Sequence, residues 1–94
     1  MSLEQLATAI NKAIGTKQTL KAVDGGYADK VYVAQDAEPH VTRNLLKLCE
    51  ERGYLVELVP SMRELGKACG IEVGAASAAI IKIDQKNDGG KEVP

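Results

Sequence analysis

The stretch "KVYVAQDAEPHVTRNLLKLCEERGYLVELVP" runs from Lys30 to Pro60. Its first six residues, Lys30 to Gln35, are a β-branched and aromatic run with alternation, which predicts a strand. "DAEP" is a turn, in which Asp36 or Glu38 can cap the next helix. From Pro39 to Arg52 the apolar positions Val41, Leu45, Leu48 and Cys49 recur at helical spacing, and Gly53 closes the helix. Tyr54 to Val59 is a second strand, broken by Pro60.

Outward from this stretch the alternation continues. Ser61 and Glu64 form a capping box, opening a short helix that stops near Gly70. "IEVG" reads as a loop. Ser77 to Ile83 lacks polar alternation and reads as a fully buried strand. Upstream, Ser2 and Gln5 are a capping-box pattern, and Leu3, Leu6, Ala7, Ile10 and Ile14 extend a first helix to Gly15. A second helix runs from about Gln18 to Asp24, buries Leu20 and Val23, and ends at Gly25-Gly26. Thr16 to Gln18 is a candidate short edge strand beside the three obvious ones. Helices alternating with strands imply an α/β fold, a sheet covered on both faces as an α-β-α sandwich. From Asp84 to Pro94 there is no periodicity and many turn formers, which predicts a domain over 1–83 and a flexible tail over 84–94.

The bulk composition narrows the function. The 94 residues suit one domain, and aromatics are only 3% (Tyr27, Tyr32 and Tyr54), so the core must be aliphatic. A net charge of −1 speaks against binding nucleic acid by bulk electrostatics, so any such reading rests on a local patch. No apolar run approaches a membrane span and no secretory pattern opens the chain, which points to the cytoplasm. Cys49 and Cys69 lie outside any CxxC pattern and are expected as buried thiols of a reducing compartment.

Catalytic constellations are missing. His40 is the only histidine and follows Pro39 at a helix start, where it is expected to be solvated rather than to serve as a base. One histidine and two scattered cysteines do not make a zinc site. Neither "GTKQT" nor "GKACG" (Gly66 to Gly70) has phosphate-loop spacing. Glu50-Glu51 falls on the polar side of a helix. We therefore expect no enzyme, no metal, no cofactor and no small-molecule substrate. Aromatic stacking platforms and a GXXG loop are absent as well, which argues against two common RNA modules.

Two segments remain. In Gly15 to Lys21, a helix start offers free N–H groups beside Thr16, Lys17, Gln18 and Lys21, with no acid among them. Lys17 and Lys21 are four apart on one face. In "LGKACGIEVGAA", Leu65 to Ala76, a glycine-punctuated loop carries Ile71 and Val73 on either side of Glu72. Those aliphatics either meet a partner surface or an unstacked base, or fold back onto the core.

Together these segments resemble the L-seven-Ae ribosomal-protein family of kink-turn RNA binders, and in particular its short bacterial members. The similarity covers about residues 3 to 83 and is carried by "GTKQTLKAV", "VYVAQDAEP" and above all "LGKACGIEVGAASAAI". The resemblance implies a three-layer α-β-α sandwich with a small mixed four-stranded sheet. It also implies a non-catalytic monomer that binds structured RNA, ribosomal or other non-coding, whose internal loop carries tandem sheared G·A pairs. In the family, an Asn-Glu pair and a following Lys contact the G·A guanines and nearby phosphates. Lys17 stands at the Asn, Gln18 at the Glu and Lys21 at the Lys. Ile71, Glu72 and Val73 stand where the family packs against looped-out nucleotides. Lys17 departs from the pattern because it cannot accept a hydrogen bond, though it can donate to guanine O6 and N7. Gln18 keeps an acceptor and loses the carboxylate charge. The alternative function is a protein–protein module on the same fold, with the helix around Glu50-Glu51 as its surface.

Overall fold

The computed structural model describes residues 2–82; the side chain of Ser2 and the expected tail at 84–94 lie outside the described set. Eight elements run in order: α1 (Ser2–Thr8), β1 (Lys12–Ile14), α2 (Thr16–Asp24), β2 (Ala28–Ala34), α3 (Pro39–Arg52), β3 (Val56–Val59), α4 (Met62–Cys69) and β4 (Ser77–Ile81). The sheet order is β1-β4-β2-β3. β4 runs antiparallel to both neighbours, and β2 and β3 are parallel. This is the mixed four-stranded sheet of an α/β sandwich.

Strand alternation sorts the core into two layers. Tyr32, Ala34 and Ala78 point to one face, where Leu6 of α1 and Leu65 and Cys69 of α4 cover them. Val31, Val33 and Ala79 point to the other, beneath Ala22 and Val23 of α2 and Leu45 and Cys49 of α3. The two cysteines are free and buried on opposite faces of the sheet. Burial pushes both thiols above their ordinary range, with the charge of Lys12 working against it at Cys69. Tyr32, fully buried, has its phenol pushed up first by burial and then by the carboxylates of Glu57 and Asp29.

The expected capping box of α4 is present: Ser61 Oγ accepts from the Glu64 amide at 3.1 Å. α3 begins and ends at the residues its pattern predicts, with Pro39 in the first turn and Gly53 at the C-cap. Several expectations are corrected. The first helix ends at Thr8 rather than Gly15, and Lys12–Ile14 is a strand. Ile10, which fits the helical spacing, is 79% exposed. The local pattern is overridden because β4 has a free edge that would leave backbone groups unpaired, and β1 fills it with Ile14 opposite Ala78. Lys12 Nζ then donates to the Leu6 and Ala7 carbonyls at 3.2 and 3.3 Å, placing a cation at the C-terminus of α1.

The second correction stems from the first: Thr16 to Gln18 opens α2 and is not an edge strand. Third, Asp36 does not cap α3; its carboxylate accepts from the Met62 amide at 2.7 Å and so caps α4 across the sheet end. Glu38, the N-cap of α3, makes no side-chain cap bond. Fourth, Val41 points outward and Thr42 takes the buried position. β3 starts two residues late because the Tyr54 amide donates to the Cys49 carbonyl, at 2.8 Å, in closing α3. β4 is fully buried only over Ser77 to Ala79.

Candidate nucleic-acid interface

β1 turns into α2 within one residue. Gly15 makes that turn at φ +93°, a backbone conformation that a side chain would strain. Its amide donates to the Ser77 carbonyl at 2.8 Å, and its own carbonyl accepts from both the Thr19 amide at 2.9 Å and the Thr19 hydroxyl at 2.7 Å. Thr16 Oγ1 lies 2.9 Å from Ser77 Oγ. The two hydroxyls of this segment therefore hold the turn together.

The remaining groups point away from the fold. Lys17, Gln18 and Lys21 are exposed. No side chain caps the N-terminus of α2, so the first-turn amides, which have no intrahelical acceptor, are open to an anionic or carbonyl-rich ligand. Among the described residues neither lysine has an acidic partner. The result is a cluster of donors with one amide oxygen, and no carboxylate to compete for them.

The second segment leaves α4 at Gly70 and re-enters the sheet at Ser77. Its two aliphatic residues part company. Ile71 is half-buried and packs against the α1/α4 side of the core, whereas Val73 is 70% exposed. Glu72 between them is exposed. The fold-back reading thus holds for Ile71, and Val73 stays open to solvent.

Ser77 joins the two segments. It closes the loop and receives both Gly15 and Thr16, so the start of α2 and the exit of the loop share one end of the sheet. The Ala34 amide, donating to the Ala76 carbonyl at 2.9 Å, ties the end of β2 to the same place. The sequence reading missed Ser77 and misassigned Asp36. A serine heading an otherwise apolar strand was the available signal for the first. For Asp36, a helix lying 26 positions downstream left no local signal.

His40 is exposed, with Nε2 3.4 Å from Glu38 Oε1. Among the described residues, no group of three or more metal-ligating side chains comes together, and no helix is long and apolar enough to cross a membrane.

The chain is similar to known proteins over nearly its whole length. An RNA-binding protein of Bacillus pumilus is 47% identical over 86% of this chain and 99% of its own. The RNA-binding protein YbxF of Geobacillus stearothermophilus is 43% identical over 87% of this chain and all of its own length. A solved structure of a Giardia lamblia 15.5kD RNA binding protein superposes with a TM-score of 0.77 at 30% identity, covering 92% of this chain and 72% of that one. The model of the Ribosomal protein L7Ae/L30e/S12e/Gadd45 family matches residues 2–89, and the chain belongs to that family.

Proposed function

We propose that this protein is a non-catalytic RNA-binding protein that recognises and stabilises a kink-turn, acting as a monomer in the cytoplasm. The observation that carries the reading is the uncapped, acid-free start of α2, which presents Lys17, Gln18 and Lys21 at the sheet end where the loop carrying the exposed Val73 joins β4 at Ser77. Lys21 supplies charge for a phosphate. Lys17 donates to the acceptor edge of a guanine, and Gln18 offers both a donor and an acceptor to the paired base. The names of relatives, which describe RNA-binding proteins, support the class of ligand. A net charge of −1 suits a protein that selects a shape and holds it through a few placed contacts.

The test replaces the tandem G·A pairs of a kink-turn RNA with Watson–Crick pairs and compares the two isotherms at physiological salt. Affinity for the replaced RNA should fall at least roughly tenfold, since losing a read base pair costs ~1–3 kcal/mol in protein–DNA sites. Equal affinity for both RNAs would overturn the assignment.

One observation favours a protein partner as the second reading. Leu46 and Leu58, both exposed, line a groove of about 450 Å³ with Pro39 and Arg43, between α3 and the ends of β2 and β3. Under that reading Leu58→Ser abolishes partner capture and kink-turn RNA binds no better than a duplex.

A further inference from the structure

Residues 71 to 75 turn back along α4 from its own Gly70 C-cap, which the Ile71 amide completes, to a second bond one helical turn earlier. The Ile71 amide donates to the Gly66 carbonyl at 3.1 Å, and the Ala75 amide donates to the Met62 carbonyl at 3.0 Å. Between those bonds the loop backbone lies directly on the helix. A Cβ on Gly66 would overlap the Val73 carbonyl oxygen and crowd the Gly74 Cα at 3.1 Å. A Cβ on Gly74 would meet Met62 Cβ at 3.1 Å and the Met62 backbone at 3.3 Å. Gly66 lies in the middle of α4, is buried, and has no left-handed backbone to explain it. Alanine is the better helix former there. Its absence is explained by the loop, which needs the bare backbone.

We propose that Gly66 and Gly74 are positioning residues for the interface: they let residues 71–75 lie on α4 as a fixed strap, so that Glu72 and Val73 are held in one arrangement before RNA arrives. The binding half of this statement rests on the RNA reading above; the strap itself does not. A loop fixed in advance loses less conformational freedom on association, and a loop that samples several arrangements binds only through the competent fraction.

Hydrogen exchange on the full chain without RNA reads the strap, and kink-turn RNA isotherms read its consequence, in the parent, Gly66→Ala and Gly74→Ala. The Ala75 amide, whose bond to Met62 lies outside the helix cap, should be protected in the parent. In Gly66→Ala it should exchange fast while the amides of β2 and β4 keep their protection, and affinity should fall roughly tenfold, mostly in the association rate. An unprotected Ala75 amide in the parent would overturn the proposal. So would a Gly66→Ala protein that keeps its protection, or one that loses it and binds like the parent. If Gly66→Ala fails to fold, Gly74→Ala, whose contacts are milder, is judged by the same criteria. If the parent ignores kink-turn RNA while the exchange pattern holds, the RNA reading fails and the strap survives it.

Discussion

Thr16 Oγ1 and Ser77 Oγ meet at 2.9 Å across 61 positions of chain, and Ser77 is completely buried. Ser77→Ala should leave the half-buried Thr16 hydroxyl without its partner and cost about 1–3 kcal/mol. That corresponds to a fall of several degrees in Tm for a domain of this size. Thr16→Val combined with Ser77→Ala should lose less than the sum of the single changes. Thermal melts of the four proteins measure the coupling, and strict additivity would mean the pair contributes nothing.

The two lysines should separate by salt dependence. Lys21→Ala should weaken every RNA and reduce the slope of log affinity against log salt by about one phosphate contact. Lys17→Ala should instead penalise kink-turn RNA more than a plain duplex, because it removes a guanine-edge donor. Isotherms at two salt concentrations distinguish them. Equal losses on both RNAs for both variants would reduce the site to a charge patch.

Val73 and Ile71 should part in the same way that their burial does. Val73→Asp places a carboxylate on an exposed site, and should lower RNA affinity with stability staying within about 0.5 kcal/mol of the parent. Ile71→Asp puts a charge against the core that Ile71 packs on, and should cost about 1–3 kcal/mol of stability. Melts and isotherms on both variants check this. An undiminished Tm in Ile71→Asp would contradict the packing.

The alkaline limb of stability should belong to buried acids held protonated. Cys49, Cys69 and Tyr32 are all raised in the fold above their ordinary values of 9.0, 9.0 and 10.0. The folded state therefore binds more protons than the unfolded state once pH passes about 9, and stability falls as pH climbs further. Below that the contribution is complete. Cys49→Ala with Cys69→Ala should flatten Tm against pH between about 8 and 10 relative to the parent. An unchanged profile would leave Tyr32 as the responsible group.

The sequence disclosed those parts of the fold whose cause is local. Pro39, Ser61, Glu64, Gly53 and Gly70 act on their own neighbours, and α3 and α4 appear where these residues place them. Lys12–Ile14 was illegible for the opposite reason: three residues carry too little alternation, and their conformation is dictated by β4, which pairs Ile14 with the distant Ala78. Asp36 escaped likewise, since its partner is Met62. At the candidate site the exposed lysines and the glutamine were legible as an acid-free run. The division of labour between Ile71 and Val73 was not, because a pair of aliphatics between glycines has no period from which to read a direction. Nor could composition show that Thr16 and Thr19 spend their hydroxyls on the turn itself.

The fourth strand along the chain is an inner one. β4 sits between β1 and β2 and is the only sheet neighbour of β1 among the described residues, so the sheet cannot close on a growing chain that is still short of Ser77. Until then the Gly15 amide at the start of α2 has no carbonyl to receive it, and the strap has nowhere to end. A nascent or truncated chain lacking β4 thus carries every one of the candidate contact residues without the strand that brings the start of α2 and the end of the loop to one place.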